Sequence, residues 1–271
     1  MFVLTAMLAP AACDYFASPD ELGDPDVISI AMVLVAGESE AHLLAGRPFL
    51  GRFDPPPRVA ATLIGPGWRA AFTHKTDPKE GCGRGPTIWA IPLVCLNATL
   101  PEPIREEVTY RLEGTGPKGS FTGETTVPAA PVILAPAGTV WLPRSKSVVR
   151  LRLPIRYAAP PEVGVLRPEV FQTVGNSTGT DSRWVGGLLP RELDLDDQEV
   201  TLVWSYTPSL RLASLHLLGI GRQYGHFWKK WTSFERSVKW PSVGLSGEGV
   251  YGYFDGSAKS RPVEIRLEDE G

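Results

Sequence analysis

The chain has 271 residues, with 27 Lys+Arg against 30 Asp+Glu and a net charge of −3, so it offers no basic field for nucleic acid or an anionic membrane surface. Its 28 glycines and 26 prolines are spread along the chain, the pattern of many short strands and turns. Beyond Cys13 no apolar run has the roughly 18–20 residues that a membrane-crossing helix needs.

The first segment reads MFVLTAMLAPAACDY. An apolar stretch from Phe2 to Leu8, then small residues, is the tail of a secretory signal, and Ala11-Ala12-Cys13 resembles the lipobox of bacterial lipoproteins, where the chain is cut before a cysteine whose thiol takes a diacylglycerol. Residues 1–13 are therefore expected to be a signal with Cys13 as the lipid attachment. Such a signal has a basic start that is missing here, which implies a start codon upstream of Met1. A plain cleaved signal and a mature buried strand are the other readings of residues 2–12. Residues 14–26, polar and proline-containing, read as a flexible tether to a cell-envelope membrane.

Three cysteines leave an odd thiol in an exported chain. With Cys13 lipidated, Cys82 and Cys95 remain as a disulfide pair, closing a loop worth about 3 kcal/mol on the simple chain model. Two free buried thiols are the alternative reading. No CxxC spacing or close histidine supports zinc.

Strand-length apolar runs follow, each bounded by Gly, Pro or Asp: VISIAMVLVA from Val27, RVAATLIG from Arg58, WRAAFTH from Trp68, VTYRLEG from Val108 and SFTGETTV from Ser120. Without a helical period among them, residues 27–127 are expected to form an immunoglobulin- or fibronectin-like β-sandwich. The proline-rich segment 128–138 reads as a junction. Residues 139–271 then read as a second β domain, beginning with VVRLRLPIRY, in which Arg150, Arg152 and Arg156 alternate with apolar residues. In this domain Tyr224, Phe227, Trp228, Trp231 and Glu235 recur with a helical period and predict one amphipathic aromatic helix near 224–237. The closing stretch GEGVYGYFDG predicts a bulged strand or close backbone approach in place of a phosphate loop. The fold class is thus all-β.

Four patches carry a family resemblance: the cysteine-ended signal before VISIAMVLVAGESEAHLLAG; YRLEGTGPKGSFTGETTVPAAPVI, led by Tyr110; LGIGRQYGHFWKKW; and GEGVYGYFDGSA. Together they resemble the bacterial lipoprotein family of unknown function numbered 4249, often encoded beside TonB-dependent outer-membrane receptors. That resemblance implies an envelope location, a two-part β architecture and a TonB-dependent receptor as partner, but no catalytic residue.

Chemistry-bearing motifs are scarce. His42, His74, His216 and His226 form no HExxH or HxH. Gly244-Leu245-Ser246-Gly247 falls one residue short of a hydrolase elbow, leaving Ser246 as a turn residue. Gly219 and Gly221 lack the third glycine of a dinucleotide loop. The acidic run from Glu192 to Glu199 has Glu199 where an EF-hand starting at Asp194 needs glycine, so it reads as a solvated loop. No cofactor or metal is expected. Trp184, Trp228, Trp231 and Trp240 remain as candidate ligand- or partner-binding aromatics, with a core or cap role as the alternative. The sequence therefore predicts a non-enzymatic binding or assembly protein, against an adhesive or structural sandwich or an enzyme with an acidic site.

Overall fold

The computed structural model describes residues 26–46, 57–74, 93–143, 149–176, 179–184, 193, 195, 198–206, 210–225 and 242–268. Within them the apolar alternation becomes strands. In chain order these are β1 (Ile28–Val35), β2 (Glu40–Gly46), β3 (Ala60–Gly65), β4 (Trp68–Ala71), β5 (Thr73–His74), β6 (Leu93–Thr99), β7 (Thr109–Gly116) and β8 (Gly119–Thr126). There follow β9 (Val132–Ala135), β10 (Thr139–Pro143), β11 (Val149–Ala158), β12 (Val163–Asn176), β13 (Gly179–Trp184), β14 (Glu199–Tyr206) and β15 (Leu210–Gly221). The last are β16 (Ser242–Val243), β17 (Leu245–Gly247), β18 (Val250–Lys259) and β19 (Val263–Glu268).

The first core lies between two sheets. Every second residue of β1 (Ile28, Ile30, Met32, Leu34) is buried with Leu43, Leu63, Leu96, Tyr110, Leu112 and Phe121, as a period of two requires when one face is covered. One sheet runs β1-β2-β6-β5 and the facing sheet β8-β7-β3-β4. Named in chain order as A to G, these are the A-B-E-D and G-F-C-C′ sheets of an immunoglobulin-type Greek key. The all-β sandwich expected from sequence is what the chain forms.

Two local features fix this first sandwich. The run WRAAFTH is not one strand: β4 pairs with β3, β5 pairs with β6 in the other sheet, and buried Phe72 marks the crossing between them. Tyr110, fully buried at the start of β7, accepts a 2.9 Å hydrogen bond at its hydroxyl from the backbone N–H of Arg105. This is the tyrosine corner of such sandwiches, in which a buried ring pins the approach to strand F.

The second core has the same logic. Leu153, Ile155 and Tyr157 of β11 face Val170 of β12, Leu215 and Leu217 of β15, and Ile265 of β19. A three-stranded sheet β9-β11-β14 covers a face built from β10, β19, β15, β12 and β13. The opening strand is split between the sheets: β9 joins β11, and β10 runs parallel to β19. The junction expected at 128–138 thus contains an edge strand. Pro154 and Pro168 sit inside strands without breaking them. Pro154 pairs with Thr201, outside the stretch where β9 joins; Pro168 pairs with Leu217, outside the stretch where β13 joins. Each proline's missing N–H falls where one side of its strand carries no partner ladder.

The connection from β15 to β19 departs from the sequence reading. It leaves the second sandwich, closes the open edge of the first, and returns. β17 pairs with β8, and β18 runs parallel to β1 from Ile28↔Val250 to Val35↔Ser257. The end of β18 then pairs with β15, Ile220↔Ser257 to Leu218↔Lys259. As a result an 11-stranded sheet is continuous through both halves. The sequence reading assigned all of 139–271 to the second domain, whereas Leu245, Val250 and Phe254 are members of the first core.

The glycines of this excursion explain how it fits. Gly252 has a φ of +111°, and a Cβ there would overlap the Ile30 carbonyl. A Cβ on Gly256 would lie 2.6 Å from Val127 Cα. Close approach of backbone to backbone, the reading made from the sequence, is the reason glycine is needed. Ser246, expected in a turn, lies in the short strand β17.

Candidate functional site

Of the residues that sequence singled out, few converge. Cys95 is buried on β6; Cys13, Cys82, Trp228, Trp231 and Trp240 lie outside the described residues. Trp184 ends β13 in register with Phe171. Residues 222–225 form a helical turn directly after β15, and the rest of the expected aromatic helix, with His226, is outside the described residues. Arg152 and Arg156 are exposed while Leu153, Ile155 and Tyr157 between and beside them are buried, so the basic ladder is an outer sheet face. Of the acidic run, Leu193 is buried in a bridge to Leu166 and Glu199 opens β14. Among the described residues no group of three or more His, Cys, Asp or Glu is placed to hold a metal ion.

A cleft of about 730 Å³ lies at one end of the first sandwich. Pro57, Arg58, Val59 and Ala60 at the start of β3 line it together with Thr115, Gly116 and Pro117 at the end of β7; His74 of β5 and Val94 of β6 complete it from the facing sheet. These positions belong to the B–C, D–E and F–G loop end, the end whose B–C and F–G loops carry binding surfaces in immunoglobulin variable domains. The volume falls in the range of about 300–1,000 Å³ typical of small-molecule sites. Val59 and Val94 are members of the first core and make an apolar floor. Arg58 and His74 are exposed, and neither side chain has an ion pair or hydrogen bond with another described residue. Among the described residues that line it there is no carboxylate. Sequence reasoning missed this place because its members are scattered from Pro57 to Pro117 and only folding brings them together.

A second polar cluster lies where the two sandwiches meet. Asp255 of β18 is buried and accepts hydrogen bonds from the backbone N–H of Tyr224 at 2.6 Å, the N–H of Gly256 at 2.7 Å and the Thr125 hydroxyl at 3.2 Å. The N–H of Gln223 also donates to it. A Cβ on Gly221 would overlap this carboxylate, which is why β15 ends in glycine at that point. Burial raises the Asp255 carboxyl above its ordinary pKa, and these four donors pull it part of the way back. Tyr224 and Tyr253 stack edge-to-face beside it, centroids 5.0 Å apart. Donors from β8, from the helical turn and from β18 itself converge on one carboxylate, an arrangement that fixes the two halves together.

No family model matches the chain, and no curated protein does. Among solved structures it is similar to the N-terminal Ig1-2 module of the Drosophila receptor protein tyrosine phosphatase DLAR, with 12% identity over 88% of this chain and 95% of that chain and a TM-score of 0.28. It is also similar to the Danio rerio Fcho1 Mu homology domain with bound Eps15 peptide, with 10% identity over 89% of this chain and 96% of that chain and a TM-score of 0.24. At such TM-scores the likeness carries no weight, and the β-sandwich assignment stands on strand order and the two cores.

Proposed function

We propose that this chain is an exported, lipid-anchored and non-enzymatic binding or assembly protein of the cell envelope, with the loop end of its first sandwich as the binding end. The observation that carries the binding role is the cleft between the two sheets, floored by Val59 and Val94 and edged by Arg58 and His74. Ala11-Ala12-Cys13 supports the envelope location, and the resemblance to lipoproteins encoded beside TonB-dependent receptors supports such a receptor as partner. β1 begins at Ile28 beside Gly116 of the cleft, whose Cβ, if present, would meet the Ile28 side chain. β1 therefore starts at the binding end.

Mass spectrometry of the protein from its native membrane fraction tests the location. The expected N-terminus is a diacylated Cys13, with Cys82 and Cys95 disulfide-bonded to one another; an unprocessed Met1 with unmodified Cys13 would sink the envelope reading. Purification of the lipidated protein in mild detergent tests the partner. A TonB-dependent receptor is expected to come down with it, and its absence removes the transport-accessory role.

A further inference from the structure

We propose that the side of the second sandwich formed by β9 and β10 is an interface with a second copy of this chain. This goes beyond the binding role of the first sandwich and does not rest on it. Of the four large apolar side chains that are exposed among the described residues, three stand here: Val132 at 52%, Leu134 at 48% and Trp141 at 55%. Among those residues β9 is the last strand of one sheet and β10 the last of the facing sheet. Only residues 136–138 join them, so both edges lie on the same side. Natural sheet edges are ordinarily guarded by charged side chains, lysine above all. Residues 127–143 contain no Asp, Glu, Lys, Arg or His in a chain that is 21% charged, so both edge strands lack that guard.

The missing charge selects the partner. A charged peptide laid on this edge would lose hydration and find no counter-charge, whereas a second copy brings the same uncharged, apolar strands. A two-fold axis normal to the two layers sets β9 antiparallel to its mate and, by the same rotation, β10 to its own, an isologous contact that closes after two copies. Side-chain alternation then restricts the register. Ile133 packs against the second core while Val132 and Leu134 on either side of it are exposed. Residues directly opposite one another share a face of the sheet, so the axis falls at a residue and not between two. Centred on Ile133, it puts Val132 opposite the second copy's Leu134, and four exposed apolar side chains leave water together. Centred on Leu134, it would set Val132 against Pro136, outside β9. Pro131 and Pro136 flank the strand and hold the shared ladder to its length.

Sedimentation velocity of the purified full chain in density-matched detergent, from about 1 to 100 μM, tests the interface. A concentration-dependent monomer–dimer equilibrium is expected. Leu134→Lys, which supplies the missing guard at an exposed site, is expected to weaken it at least roughly tenfold with the melting temperature unchanged. Thr122→Lys, at an exposed site on the first sandwich, is expected to leave it as it was. The register is read from cysteine variants: an equimolar mixture of Val132→Cys and Leu134→Cys chains is expected to cross-link between unlike chains in preference to like ones. A monomer at every concentration would overturn the proposal, and so would a dimer that Leu134→Lys leaves intact. Cross-linking of Leu134→Cys chains chiefly to themselves would overturn the register centred on Ile133. Open-ended growth past the dimer would overturn the two-fold contact. Binding of a monomeric chain to phosphatidylglycerol–phosphatidylcholine vesicles, lost in Leu134→Lys, would overturn the second copy as occupant in favour of a membrane surface.

Discussion

Asp255 shows how one residue can join two sandwiches. Its carboxylate receives N–H groups from the helical turn after β15, the N–H of Gly256 and the hydroxyl of Thr125 on β8, so contacts from both halves end on the same two oxygens. Removing such an acceptor leaves buried donors unsatisfied at about 1–3 kcal/mol; Asp255→Asn keeps the volume but turns an NH₂ group toward N–H groups. The carboxyl is held above its ordinary pKa by burial first, with the Tyr224, Gly256, Thr125 and Gln223 donors acting in the opposite direction. A raised folded pKa means that the folded state binds the proton more tightly than the unfolded state. The stability this confers is complete below the ordinary carboxylate range and is lost as pH rises through the folded value. Urea unfolding across that range is therefore expected to show the wild type most superior to Asp255→Asn at the acid end, with the gap narrowing as pH rises. A gap that widens with pH would mean that the carboxylate is stabilised as the anion.

At the scale of elements, β18 depends on glycines that no local pattern explains. Gly252 pairs beside Ile30 with a φ of +111°, and its hydrogen stands where a Cβ would overlap the Ile30 carbonyl. Gly252→Ala is expected to cost at least about 2 kcal/mol, through the positive φ and the lost approach of β18 to β1 together; a thermal shift below one degree would show that the strand can move aside freely. This element also marks the limit of what the sequence reveals. The alternation in β1, β7, β11 and β15 was legible because each of these strands covers a core with one face, and Tyr110 at the head of β7 was visible as a leading aromatic. The partner of β1 was not legible, because Val250 joins Ile28 across more than two hundred residues and parallel edge pairing leaves no turn signal between them. The crossing at Phe72 was hidden for another reason: β4 and β5 are separated by this one residue, so together they have the length of a single strand. The cleft was illegible because Arg58 and His74 look like ordinary surface residues until β3 and β5 face one another.

At the scale of the whole molecule, the excursion that forms β16–β18 sets how the two sandwiches respond to stress. β18 contributes Val250 and Phe254 to the first core and hydrogen-bonds β15 of the second through Ser257, Ala258 and Lys259. An ordinary linker between immunoglobulin-type sandwiches transmits little, and each unit then melts at its own temperature. Here neither edge can open without freeing the same strand. The full chain is accordingly expected to unfold in a single calorimetric transition, and Phe254→Ala, with its ring fully buried, is expected to cost about 3–5 kcal/mol while lowering that one transition as a unit. The decisive observation is the shape of the variant's trace. If Phe254→Ala splits the transition, with the second sandwich still melting at the wild-type temperature, β18 only rests against the first core. If the peak moves down whole, the loop end that carries the cleft is held at a fixed angle to the rest of the molecule, and a load on one sandwich is borne by both.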